Sequence, residues 1–358
     1  MSHATRPGLP AAGQQGTIAG YRLDECVGQG SSAVVYRAQD ERLHRQVALK
    51  VMTPELAGDA AFRARMVGES RAAAALGHPH IVPVFQAGET DGTLYAVMRY
   101  VTGGDGRSLL SRHGPLPLGY AWRIVAQIAS ALDAAHAHGL IHRDVRPANI
   151  LLDSDDAGDR AAGGHAYLSD FGMSRVFPPG QVIAPDQAAG ILDYLAPEQI
   201  EGRDLDGRAD QYSLACTGYE LLCGTPPFGP DQGQTLMYAQ IYADPPAASA
   251  RRAGIPAAVD SVLATALAKN PADRYPSCGR FAAELRAALG QRPGEPAGPP
   301  PQSPAPRGIG PVSEPRPTMP GRVLLRVKQR QPGTGGRQAP AKDPPAVATD
   351  RPAGAGSL

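Results

Sequence analysis

The sequence predicts an α+β chain of two lobes, a small β-rich lobe and a larger helical one, followed by a disordered tail. Three observations carry this. Between residues 21 and 101, short runs with period-two alternation surround a glycine turn. After Gly103, long segments place apolar residues at helical spacing. From about residue 291, sixteen of the chain's 36 prolines occur in a stretch without Phe, Trp or Tyr, which cannot bury enough surface to offset its ordering entropy.

Residues 1–20 are rich in Gly, Ala, Gln and Pro and read as a flexible lead. Order is expected from Tyr21. Strands are expected at Tyr21-Arg22-Leu23, Val34-Val35-Tyr36, Gln46 to Met52, Ile81 to Phe85 and Leu94 to Tyr100. Ala61 to Leu76 is alanine-rich and free of proline, which predicts the one helix of the first lobe. In the second lobe, Tyr120 to His138 carries Ile124, Ile128, Ala131 and Ala135 on one face. Further helices are expected at Asp210–Cys223, Gln234–Tyr242, Ala257–Lys269 and Cys278–Leu289. The ordered domain therefore spans 21–289, divided near residue 101 into lobes of 21–101 and 102–289, with a tail at 290–358.

The 358 residues are 42% hydrophobic and 19% charged, with a formal charge of +1. That balance excludes the strong basic excess of a nucleic-acid binder. Within residues 291–358 there are ten Lys/Arg against four Asp/Glu. The tail is read as a solvated extension whose positive charge suits an acidic partner or a membrane surface, with Val323 to Lys328 as its one cohesive stretch. The four cysteines form no CxxC pair, so a zinc or redox motif is not indicated. Cys216 and Cys223 read as thiols on one helix face. No apolar run reaches the roughly 18 residues of a membrane span, and Met1 to Gly20 has no apolar core. A reducing cytoplasm is the expected setting.

Several motifs carry chemistry. In Gly28-Gln29-Gly30-Ser31-Ser32-Ala33-Val34-Val35, glycines let backbone N–H groups approach phosphates closely. Val47-Ala48-Leu49-Lys50 ends an apolar strand on a lysine, which needs a carboxylate partner if it is to hold phosphates rather than snorkel outward. Glu69, on the expected helix, supplies that partner; Glu55 precedes the helix. In Ile141-His142-Arg143-Asp144-Val145-Arg146-Pro147-Ala148-Asn149-Ile150-Leu151-Leu152, Asp144 is a carboxylate for orienting a hydroxyl and accepting its proton. Asn149 is a neutral oxygen donor five residues later, suited to a hard cation. Ser169-Asp170-Phe171-Gly172 and Ala196-Pro197-Glu198 follow.

In this order the motifs resemble the protein kinases, over about Tyr21 to Leu289, and most closely the bacterial Ser/Thr branch. The resemblance implies a bilobal protein-kinase-like fold and transfer of the γ-phosphate of ATP to Ser or Thr hydroxyls of a protein substrate. It implies catalytic roles for Asp144, Lys50, Arg146 and Asn149. It implies nucleotide contacts from Val27, Gly28, Gln29, Gly30, Ser31, Val35, Ala48, Lys50, Glu69, Met98, Arg99, Val101, Leu151 and Asp170. Asn149 and Asp170 would hold Mg2+, with Mn2+ as an alternative. Lys50 would pair with Glu69. Glu198 would pair with Arg274, and Asp210 would anchor the backbone of the catalytic loop.

Three positions depart from the family pattern. Arg146 stands where Ser/Thr kinases carry lysine, and a guanidinium fork is not an ammonium point charge. Ile191 stands where a threonine hydroxyl bridges the catalytic aspartate and lysine; losing that bond costs about 1–3 kcal/mol, or roughly 5- to 150-fold in rate. Met173 to Ile191 holds one hydroxyl residue, Ser174. A slow kinase that is not switched by activation-loop phosphorylation is therefore expected. A pseudokinase-like ATP-binding scaffold is the runner-up. A small-molecule kinase of related fold would lack the Ala196-Pro197-Glu198 segment and its arginine. The acidic stretch Asp153, Asp155, Asp156 and Asp159 reads as a solvent loop between two strands, since it lacks an EF-hand pattern.

Overall fold

The first lobe is a six-stranded antiparallel sheet in the order β1-β2-β3-β4-β6-β5. Its strands are β1 (Thr17–Ile18), β2 (Tyr21–Gln29), β3 (Ala33–Asp40), β4 (Arg45–Met52), β5 (Val84–Thr90) and β6 (Thr93–Arg99). This computed structural model describes residues 16–30, 32–153, 164–171, 191–229 and 233–290, all within one compact unit spanning 1–306. The readings made for 1–15, Ser31, the acidic residues 155–159, the segment 173–190 and the tail 291–358 lie outside the described residues.

Strand alternation sorts side chains onto two faces. On β6, Leu94, Ala96 and Met98 join the cluster around Phe62 and Met66. Tyr95 and Val97 join the opposite cluster with Val47, Leu49 and Val51 of β4. Lys50 therefore shares its face with Ala48 and Met52, toward the helical side. That side holds α1 (Pro54–Gly58) and α2 (Ala60–Leu76). Asp59 caps α2 by accepting from the N–H groups of Ala61 and Phe62, and Gly77 ends it at φ 56°, a left-handed conformation suited to glycine. Phe62 and Met66 are almost wholly buried, each contributing about 1.5–3 kcal/mol.

The second lobe is built on α4 (Leu118–His136) and α6 (Gly207–Cys223), with α3 (Gly106–His113) at the junction with the first lobe. Ile124, Ile128, Ala131, Leu132 and Ala135 of α4 are buried. Helix α6 is buried nearly all round, Asp210, Gln211, Ser213 and Thr217 included, so its polar groups must find partners inside the protein. The hairpin β7 (Ile150–Leu152) and β8 (Ala166–Leu168) carries the central motifs. The remaining helices are α5 (Pro197–Ile200), α7 (Gly233–Tyr242), α8 (Ala248–Arg251), α9 (Ala258–Ala266) and α10 (Cys278–Ala288).

The structure corrects several boundaries. The chain already pairs into the sheet at Thr17–Ile18, within the stretch read as a lead, through Thr17 opposite Arg22. Ile81 to Phe85 is not one strand: Ile81 makes an isolated bridge to Leu168, and the strand begins at Val84. Its pairing with β6 is interrupted between Val84 and Gln86, which breaks the alternation. The first lobe has two helices, because Pro54 at the first turn of α1 starts a helix rather than ending one. Helix α3 was missed: Asp105 accepts from Ser108 N, but the run is too short and polar to show periodicity. Cys216 is buried and Cys223 half-buried on α6, and all four cysteines are free. Among the described residues no helix is long and apolar enough to cross a membrane.

Candidate active site

A cleft of about 470 Å3 lies between the sheet and the β7–β8 hairpin. Val27, Gly28, Gln29 and Gly30 from the glycine turn, Val35 and Ala48 line one wall, and Leu151 the other. Met98, Arg99 and Val101 form its closed edge, and Lys50, Arg146, Asn149 and Asp170 face its polar end. Ser31 lies outside the described residues. Glu69 does not line the cleft.

The polar end is organised by the turn after Val145. Asn149 is buried, and its Nδ2 donates to both the backbone oxygen and Oδ2 of Asp144, at 2.7 and 2.9 Å. Both amide hydrogens are thus used on Asp144, which turns the Asn149 carbonyl oxygen away from it. Arg146 Nε lies 3.1 Å from Asp144 Oδ1, so the guanidinium sets a positive charge beside that carboxylate. His142 is fully buried. Its Nε2 lies 2.7 Å from Ser169 O, and its Nδ1 accepts from Asp144 N at 3.3 Å. These two bonds assign the proton to Nε2, and Phe171 packs edge-on against the ring.

Lys50 does not pair with Glu69. Its Nζ lies 2.9 Å from Asp170 Oδ1. Burial pushes the Asp170 carboxyl up, but the charge and hydrogen bond of Lys50, with Arg146 beyond, outweigh it and hold the group below its ordinary range. Glu69 instead accepts from Arg143 Nη1 at 2.9 Å. Arg65 stands one helical turn before Glu69 on the same face of α2. The Arg143 guanidinium thus holds the carboxylate expected for Lys50, which spacing along the chain does not reveal.

Arg143 and Asp170 both hold left-handed backbone, at φ 69° and 73°. Non-glycine residues pay about 1–2 kcal/mol there, and such strain persists only where the surroundings fix it. For Arg143 the fixing group is Asp210, wholly buried, which accepts from Arg143 N at 2.7 Å and from His142 N at 2.8 Å. His136 Nε2 sits 2.7 Å from the same carboxylate. Burial would raise the Asp210 carboxyl, yet His136 and the backbone donor hold it down. Burial would lower the His136 imidazole, yet Asp210, with Asp133 and Asp206, raises it. Glu198 and Arg274 form a buried bidentate pair at 2.6 and 2.8 Å.

Some residues of the site escaped sequence reasoning. Asp105 lines the mouth of the cleft while capping α3; the Asp105-Gly106-Arg107-Ser108 pattern is a helix-start signal that marks it. Gln199 donates from Nε2 to Arg143 O at 3.0 Å and accepts from Ala196 N at 3.0 Å. No local pattern announces it. Arg99 turns its side chain out of the cleft, to Asp153 at 3.0 Å.

Residues 21–283 match the family model of the protein kinase domain. The serine/threonine-protein kinase PknE of Mycobacterium tuberculosis is 45% identical over 280 residues, covering 78% of this chain and 48% of the relative. PknD of the same organism is 42% identical over 282 residues, covering 78% of this chain and 41% of the relative. The chain thus spans about half the length of these curated relatives or less. The crystal structure of the Mycobacterium tuberculosis PknI kinase domain superposes with a TM-score of 0.62 at 37% identity, covering 78% of this chain and 100% of that one.

Proposed function

The chain belongs to the protein kinase family, in its bacterial Ser/Thr branch, and on that premise we propose that it transfers the γ-phosphate of ATP to serine or threonine hydroxyls of a protein. The observation that carries this reading is the arrangement at one end of one cleft. Asp144 is clamped by Asn149 and flanked by Arg146, while Lys50 and Asp170 face each other across the opening.

The residues present fit a divalent cation. Asn149 and Asp170 offer hard oxygens, and the Asn149 amide is oriented with its oxygen away from Asp144. Mg2+ suits them, with Mn2+ as a substitute; when bound, such an ion neutralises phosphate charge. The backbone at Arg99 and Val101 takes the purine edge, under Val35 and Ala48 and over Leu151. Lys50 reaches the phosphates. Asp144 orients the acceptor hydroxyl and takes its proton. Arg146 holds Asp144 in place and places positive charge beside the transferring group.

Turnover is slow in this reading, because Ile191 cannot bridge Asp144 and residue 146. Loop phosphorylation is not the switch: Ser174 is the one hydroxyl residue in Met173–Ile191, and Arg143 is engaged by Glu69. Action in the cytoplasm, and docking of the basic tail on an acidic partner or membrane surface, belong to the same proposal. The alternative, an ATP-binding scaffold, is favoured by Ile191 and by Lys50 pairing with Asp170 rather than Glu69.

One comparison separates the two. Wild type and Asp144→Asn are incubated with ATP, Mg2+ and a generic basic protein, and phosphoserine and phosphothreonine are quantified. The kinase reading expects transfer by wild type and at least a hundredfold loss in the variant. Equal silence of both proteins, with ATP still raising their melting temperatures, overturns it in favour of the scaffold.

A further inference from the structure

The family's threonine couples the segment after the activation loop to the catalytic residues, and here that position is apolar. Ile191 packs against the cluster of Leu192, Leu195, Ile200 and Phe228, so its side chain serves the core beneath α7. The coupling has not vanished from the fold. Gln199, nine-tenths buried, spans the same two segments with one amide. Its Oε1 accepts from Ala196 N and its Nε2 donates to Arg143 O, each at 3.0 Å.

Three features make this contact more than a buried amide finding partners. Arg143 is the residue immediately before Asp144, and its backbone sits at φ 69°, a conformation the surroundings must impose. Its N–H is held by Asp210 and its carbonyl by Gln199, so the peptide leading into Asp144 is fixed from both sides. The support is also rigid. Glu198, the preceding residue, is locked to Arg274, Ile200, the following one, is fully buried, and Ser213 Oγ donates to Tyr194 O at 2.7 Å.

We propose that Gln199 is a positioning residue for phosphotransfer, whose tether to the Arg143 carbonyl stands in partly for the bridge that Ile191 cannot make. The proposal rests on the kinase reading above. Gln199 does not line the cleft; it sets the register between Asp144 and the 191–196 segment. Breaking the tether therefore affects the acceptor side and spares Lys50, Asp170 and the adenine wall.

The test uses the full chain and four variants: Gln199→Met, of similar shape without the amide; Gln199→Glu, which keeps the acceptor but sets a carboxylate against the Arg143 carbonyl; Ile191→Thr; and the double variant Gln199→Met with Ile191→Thr. Gln199→Met and Gln199→Glu each lower kcat/KM for the protein acceptor roughly tenfold, with KM for ATP unchanged within about twofold. Ile191→Thr restores most of that loss in the Gln199→Met background and gives a smaller gain alone, a non-additive coupling. Parallel loss on the ATP and acceptor sides, or an equal effect of Ile191→Thr in both backgrounds, overturns the proposal.

Hydrogen exchange decides the point independently of activity. Amides of 142–145 exchange faster in Gln199→Met than in wild type, and Ile191→Thr slows them again, while the rest of the domain is unaffected. Uniform acceleration across the domain, or none at 142–145, sinks the tether. If wild type transfers no phosphate, the kinase reading fails while the exchange result still stands or falls by itself.

Discussion

Glu69 on α2 accepts a hydrogen bond from Arg143 Nη1 at 2.9 Å, and this pairing holds the carboxylate away from Lys50. Both side chains are about one-fifth exposed, so the ion pair is partly screened and exchangeable. Lys50 is meanwhile engaged by Asp170. The two ion pairs form one network: Glu69 reaches Lys50 only by leaving Arg143.

That network predicts a gain from a loss. Arg143→Leu removes the competing guanidinium without touching Asp144, and KM for ATP is expected to fall about threefold. Glu69→Gln removes the carboxylate itself and is expected to raise it. A rise in KM for ATP in Arg143→Leu would show that the two pairs do not compete.

The Glu198–Arg274 pair predicts a stability effect. Both side chains are almost wholly buried, and Arg274 also donates to the carbonyls of Ala268, Arg208 and Lys269. Arg274→Met leaves a buried carboxylate unpaired, at a cost of about 3–5 kcal/mol. Thermal unfolding should shift down by roughly 10 °C. A shift below about 2 °C would mean that Glu198 finds another partner.

The His136–Asp210 pair predicts the pH dependence of stability. The folded imidazole titrates above its ordinary 6.5, so its contribution is full below that value and is lost as pH rises through the folded pKa. The folded carboxylate titrates below its ordinary 3.8, so its contribution is full above that value and is lost as pH falls further. The pair contributes most between about pH 4 and 6.5. Melting curves of wild type and His136→Gln across pH 5–9 should converge toward the alkaline end. A constant gap would contradict the assignment.

The loop sequence predicts where phosphate will not be found. After prolonged incubation with ATP, phosphosite mapping should leave Met173–Ile191 unmodified, since Ser174 lies only four residues beyond Asp170. Abundant phosphate on Ser174 would show that the loop is a substrate of the enzyme after all.

Gly106 shows why part of the site was legible and part was not. A Cβ there would stand 2.9 Å from Pro147 O, so α3 approaches the catalytic loop too closely for any side chain. Forty-one residues separate the two, and nothing around Gly106 in the sequence signals the contact. Gly207 against His136 is the same case. Asp133 capping α10 through Cys278 N and Gly279 N is another.

By itself, the sequence determined the two-lobed order of strands and helices, the family, and the residues at the polar end of the cleft. Those depend on spacing along the backbone: period two on a strand, 3.6 on a helix, and five residues from Asp144 to Asn149. Only the tertiary structure decided the pairings. Glu69 went to Arg143, Lys50 to Asp170, and the amide of Gln199 to the Arg143 carbonyl. Each choice is among several charged or polar groups that converge from distant segments, and distance with burial, not residue type, determines which partner a carboxylate or amide takes.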